Sequence, residues 1–140
     1  MKKIKLKFSA FQLGLIAIII ISILASLPLF KPGYFFMHDD VQVMRLYEME
    51  RCFQDGQIPC RWVPDMGANY GHPLYNYHPV FAYYLGMFFR LFGLEFIFIS
   101  KLLFFLTYLL SGLFMYLLVN ALFVNPFAAV TAAAFFVFAP

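Results

Sequence analysis

Asp39 and Asp40 follow His38 in the stretch FFMHDDVQVMRLYE, residues 35–48, and their types and spacing point to chemistry. Paired acids at the edge of an apolar segment are costly unless they are solvated, paired or metal-bound. Mutual repulsion raises that cost, and a divalent cation such as Mg or Mn would relieve it. One carboxylate could then serve as general base toward an acceptor hydroxyl. The plainer reading places one acid at a helix N-cap with a solvated neighbour. Spacing alone leaves both open.

A second set lies downstream. In CRWVPDMG, residues 60–67, Arg61 stands beside Trp62. A guanidinium next to an indole can hold a phosphate or lipid headgroup, and the same pair can anchor a chain at a membrane interface. Arg45 offers another cation. Tyr70, Tyr75 and Tyr77 could stack on sugars or belong to an interfacial aromatic belt. The candidate substrate-binding residues are Arg61, Trp62, Arg45, Tyr75 and His78. His38, His72 and His78, with Asp39, Asp40 and Asp65, could be read as a zinc set. Their separations do not match the short His/Cys ligand spacings, and HExxH is absent, so interfacial or hydrogen-bonding histidines are the competing reading. Cys52 and Cys60 could form a disulfide in an oxidising compartment or remain two free, buried thiols.

The elements that must position these residues are apolar. The chain has 140 residues, 64% hydrophobic, 21% aromatic and only 12% charged, against about 25% charged in soluble domains. That composition predicts an all-α polytopic membrane protein. Net charge is +3, but four of the basic residues, Lys2, Lys3, Lys5 and Lys7, flank the first apolar run. They read as an orientation signal rather than a nucleic-acid surface.

Residues 1–7 are read as a cytoplasmic basic flank and 8–30 as a first transmembrane helix, uncleaved for want of an A-x-A site. Residues 31–78 form an extracytoplasmic loop. Within it the spacing of Val41, Met44, Tyr47 (with Leu46) and Cys52 (with Phe53) predicts an amphipathic helix over 41–53, lying on the membrane surface, with Arg45, Glu48 and Arg51 off its apolar face. Gly56 and Pro59 stop it. Residues 79–93 are short for a span and read as a juxtamembrane or re-entrant helix. Residues 96–124 are long enough to cross, Asn125–Pro126 breaks the helix, and 127–140 begins a third transmembrane helix. The chain is expected to be the N-terminal piece of a longer, multi-pass inner-membrane protein, and this piece is expected to be inactive by itself.

HDD, then DGQIPCRWVPDMGANYGHPLYNYHPVFAYYLG, then SGLFMYLL resemble a group of bacterial integral membrane proteins labelled "6-pyruvoyl-tetrahydropterin synthase-related", over about residues 36–140. The composition is not that of a soluble, β-rich pterin enzyme. The architecture resembles the GT-C fold, whose glycosyltransferases take a polyprenyl-phosphate-linked sugar as donor. The resemblance implies a GT-C-like helical bundle with juxtamembrane helices in its first outer loop. It implies Asp39 as catalytic acid with Asp40 as partner, both possible ligands of a divalent cation. It also implies that 79–93 does not span, so that 96–124 crosses inward and 127 onward returns. Cys60 departs from the pattern, which more usually has proline or a small apolar residue there.

Two classes of function are open. One is a membrane glycosyltransferase moving a sugar to an envelope glycan, lipid or protein acceptor, with Arg61 or Arg45 on the donor phosphate. The other is a non-enzymatic transporter or assembly scaffold. A transporter would be expected to carry ionisable residues inside its spanning helices, and these segments hold only Lys101, near one end.

Overall fold

A computed structural model describes residues 9–34 and 41–139. Among them it contains five α-helices, two short 3-10 turns and no strand: α1 Ala10–Ala25, α2 Gln42–Gln54, α3 Phe81–Arg90, α4 Phe96–Phe123 and α5 Pro126–Phe138. The fold is thus all-helical. One helix, Phe96–Phe123, is long and apolar enough to cross a membrane. α1 and α5 are apolar but shorter, with 16 and 13 residues. The chain divides into two units, one of residues 1–31 with 104–140, the other of residues 32–103.

In the first unit, α1 starts on a capping box. The Ser9 hydroxyl accepts from the Gln12 amide at 3.2 Å, while the Gln12 side-chain oxygen accepts from the Ser9 amide at 2.9 Å. Two otherwise orphaned donors are satisfied this way. Pro28 explains why the helix stops short of the 8–30 expected from hydropathy. It has no N–H to give, and its ring would strike the carbonyl four residues back. The chain tightens instead into the 3-10 turn Leu27–Phe30. α1 packs along α5, and Ile18, Tyr116, Ala129 and Ala133 form the buried centre. The corner into α5 is made by Val124 at φ +51°, then Asn125, whose side-chain oxygen accepts from the amides of Phe127 and Ala128 at 3.0 and 3.2 Å. Pro126 comes next, at the first helical position, where its missing N–H costs nothing.

The second unit packs α2 against α3. Its core gathers Leu46, Met49, Cys52, Cys60, Val63, Leu74, Tyr75, Tyr83, Met87 and Ile99. Gly86 permits the approach, because a β-carbon there would collide with the Leu46 side chain. α2 ends at Gln54 with Asp55 as its C-cap, and Gly56 at φ +75° turns the chain away. Arg90 then ties three elements together. Its Nε donates to Glu50 at 2.8 Å, its Nη1 donates to the Leu94 carbonyl at 2.9 Å, and its guanidinium lies 4.4 Å from the Phe96 ring centre. With ten residues, α3 rises about 15 Å, half of a bilayer core of about 30 Å.

The face that α2 buries is only partly the one expected: Leu46 and Cys52 are buried as their spacing suggests. Met44 and Tyr47 are each 37% exposed, whereas Arg45 and Glu48 are buried beside Leu46, Met49 and Cys52. The reason is covalent. Cys52 is joined to Cys60, which turns that side of α2 under the loop. Residues three, four and seven positions before Cys52 (Met49, Glu48, Arg45) share its face.

Candidate functional site

His38, Asp39 and Asp40 lie outside the described residues, so the site is built from α2 onward. The N-cap position of α2 is taken by Val41, which has no side-chain cap to offer, and its carbonyl accepts the first helical bond from Arg45 at 2.9 Å. The cap expected at Asp39 or Asp40 falls on residues outside those described.

The first turns of α2 root in a polar core. The Tyr83 hydroxyl donates to the Gln42 side-chain oxygen at 2.7 Å and accepts from Arg45 Nη1 at 3.4 Å. The Tyr75 hydroxyl donates to the Arg45 carbonyl. The rings of Tyr75 and Tyr83 meet edge-on with centres 5.6 Å apart. Burial, the neighbouring Tyr83 and the charge of Glu48 all hold the Tyr75 phenol far above its ordinary range, so it stays a proton donor. The sequence offers Tyr75 as a residue facing a ligand. Its ring is instead buried, and its hydroxyl is spent on the backbone of α2, so it acts as a strut. Arg45, expected to meet a donor phosphate, is 8% exposed.

Arg61 and Trp62 are placed differently. Both are exposed, on a loop whose backbone is tightly held. The Gln57 side-chain oxygen accepts from the amides of Arg61 and Trp62 at 3.2 and 3.0 Å, and its nitrogen donates to the Trp62 carbonyl at 3.2 Å. Val63 and His72 pair as an antiparallel bridge, with N–O distances of 2.9 and 2.8 Å. The indole lies against Gly71, at φ +82°. A phosphate or headgroup could therefore reach Arg61 and Trp62, whose backbone is held in place. His72 is exposed and His78 half-buried. Among the described residues, no three His, Cys, Asp or Glu side chains come together to hold a metal ion.

Sequence reasoning does not single out Glu48. Its side chain is wholly buried, and neither carboxylate oxygen has a hydrogen-bond partner. Burial pushes its carboxyl above the ordinary carboxylate range, and the charge of Asp65 pushes it further. The Asp65 amide and the Arg51 guanidinium pull the other way, though the amide does not reach bonding geometry. Arg51 itself stands 3.9 Å from Asp65 across a half-exposed gap. The available signal is the cysteine: once Cys52 faces inward, helical spacing puts Glu48 inside.

A groove of ≈ 510 Å³ runs between α2 and α3, walled by Phe53, Tyr84, Met87 and Phe88 with Glu50 and Arg90 at its edge. Those two charges are occupied with each other. Comparison with known protein families, characterised proteins and solved structures finds no match to this chain.

Proposed function

We propose that this chain is the N-terminal part of a multi-pass, GT-C-like membrane glycosyltransferase in a bacterial inner membrane. It would move a sugar from a polyprenyl-phosphate donor to a glycan, lipid or protein acceptor on the outer face. The observation that carries the reading is the footing of α2. The helix begins two residues after Asp40, fixes its first turn through Gln42 and Arg45 on Tyr83 and Tyr75, and is locked at its far end by Cys52–Cys60. A catalytic acid must be held closely to act, and rigid elements hold it better than loops.

In this reading Asp39 takes the proton of the acceptor hydroxyl, and Asp40 tunes or supports it. Asp39 and Asp40 would also be the ligands of a divalent cation, supplying positive charge toward the donor phosphate. In this reading Arg61 and Trp62, exposed on a held backbone, meet that phosphate. The disulfide suits an oxidising outer compartment. The half-length α3 suits a juxtamembrane position, with Phe96–Phe123 crossing inward and α5 returning.

The test uses the full-length protein in its host, with Asp39→Asn and Asp40→Asn made separately and membrane abundance confirmed. Loss of an envelope glycan with accumulation of a lipid-linked sugar supports the transferase. Unchanged glycans in both variants would leave a transporter or scaffold as the better reading.

A further inference from the structure

The polar core of the stapled unit holds a feature that the transferase reading does not use. Glu48 sits in the middle of α2, wholly buried, with two carboxylate oxygens that meet no donor. An ionised carboxylate in that condition is disfavoured, because it has lost water, and the Asp65 amide and Arg51 guanidinium nearby make up only part of the loss. Protonation removes most of the penalty, since a neutral acid is far cheaper to bury.

The surroundings point the same way. From its own helix, Glu48 feels the Arg51 guanidinium, and Arg45 lies one turn back. From the 61–72 loop it faces Asp65, whose negative charge opposes its ionisation. From the turn Leu74–Asn76 it faces Tyr75, which is packed edge-on against Tyr83 of α3, with Tyr84 close by. Arg51 could compensate a charge on Glu48, but it also faces Asp65, at 3.9 Å. Two carboxylates therefore compete for Arg51, and a proton can settle the competition.

We propose that Glu48 is a pH-sensing latch: with its carboxyl protonated the 61–72 loop closes over α2, and loss of that proton loosens the loop from the helix. The sign comes from linkage. In the unfolded or opened chain, Glu48 releases its proton near the ordinary value of about pH 4.3. In the closed unit it holds the proton to higher pH, because burial and the charge of Asp65 both oppose ionisation. Closing thus takes up a proton between those two values. The stabilisation from a neutral Glu48 is complete at acid pH and is lost as pH rises through the closed-state value. An acidic outer compartment would keep the latch shut, and alkalinisation would open the loop that presents Arg61 and Trp62. The latch does not depend on the transferase reading, because it concerns only the packing of α2 against its loop.

The experiment uses the full-length protein in lipid nanodiscs. Amide hydrogen exchange is followed at Val63 and His72, the bridge that closes the loop, from about pH 5 to about pH 8, after correction for the intrinsic pH dependence of exchange. Wild type should lose protection as pH rises, the sign expected when opening releases one proton. Glu48→Gln, a neutral isostere, should hold its protection flat. Asp65→Asn, which removes the repelling charge, should shift the wild-type transition to lower pH. Flat protection in wild type, or a Glu48→Gln profile that falls in parallel with it, overturns the latch. Should Glu48→Gln fail to fold, infrared titration of wild type decides. A protonated carboxyl band that persists above the ordinary glutamate range and fades together with bridge protection supports the proposal, and absence of such a band overturns it.

Discussion

Tyr116 lies across Gly14. Its ring occupies the place where a side chain on Gly14 would begin, with the ring carbon Cζ 2.6 Å from an ideal β-carbon, and its hydroxyl donates to the Phe11 carbonyl at 3.0 Å. Tyr116 is wholly buried by this contact. A small residue on α1 thereby seats a large one from α4, the way helices approach closely where apolar surface alone gives no drive.

Gly14→Ala should therefore destabilise the first unit by about 1–3 kcal/mol, the usual cost of overpacking. Tyr116→Phe keeps the ring and loses one hydrogen bond, so it should cost only about 0.5–1 kcal/mol. Combining Gly14→Ala with Tyr116→Leu should be less damaging than the two single effects added, because the smaller side chain makes room for the methyl. Thermal unfolding of these variants in one detergent would check the ranking. Strict additivity would contradict the contact.

The disulfide carries a second expectation. Cys52 and Cys60 are eight residues apart, with Cα atoms 5.5 Å from each other. Closing so short a loop limits the unfolded chain by about 2–3 kcal/mol in the chain-entropy account. Cys52→Ser, Cys60→Ser and the double variant should be destabilised to a similar degree, since any one change removes the bond. Alkylation of unreduced protein should label neither thiol. A double variant as stable as wild type would show that the tether adds nothing.

Much of this arrangement is legible in the residues, and the rest is hidden for a physical reason. Length and hydropathy mark 96–124, where α4 runs from Phe96 to Phe123, because an uninterrupted apolar stretch has few other fates. Gly56 can be read as a stop because a left-handed turn suits glycine. Periodicity gives the buried face of α2 only in part, marking Leu46 and Cys52. Met44 and Tyr47 look like core and are partly exposed, while Arg45 and Glu48 look like surface and are buried. What turns the helix is a bond to Cys60 and the cover of a loop, and neither leaves a periodic trace. Tyr75 is hidden for a related reason: an aromatic with a polar tip reads as interface, yet its hydroxyl finds a backbone carbonyl inside. For Pro28, the breaker is visible, but hydropathy runs straight through it.

Arg90 separates the worth of a charge pair from that of a fork. Its bridge to Glu50 joins side chains that keep 32% and 25% exposure, so water screens the pair, and Glu50→Gln should cost no more than about 1 kcal/mol. Arg90→Ala also removes the bond to the Leu94 carbonyl and the contact with the Phe96 ring, so about 2 kcal/mol is expected. Arg90→Lys should fall between, because an ammonium lacks the planar fork that bonds an acid and a carbonyl while its face covers a ring. Denaturant titration of the three variants would reveal the order. Equal effects of Glu50→Gln and Arg90→Ala would reduce Arg90 to a simple ion pair.

The chain has a single tryptophan, so intrinsic tryptophan fluorescence reports on Trp62 alone. The indole is 48% exposed and rests on Gly71, where a β-carbon would come within 2.6 Å of the ring carbon Cε2. Gly71 also adopts φ +82°, a conformation that costs other residues about 1–2 kcal/mol. Gly71→Ala should therefore do two things at once. It should weaken the Val63–His72 bridge next to it, and it should lift the indole off its seat toward water. The first appears as faster amide exchange at Val63 and His72, the second as a red shift and easier quenching by a soluble quencher. Gly93→Ala serves as control. It shares a left-handed φ of +77° but has open space around its β-position, so it should show the backbone cost without the optical change. An emission spectrum unmoved by Gly71→Ala would mean that Gly71 does not hold the indole.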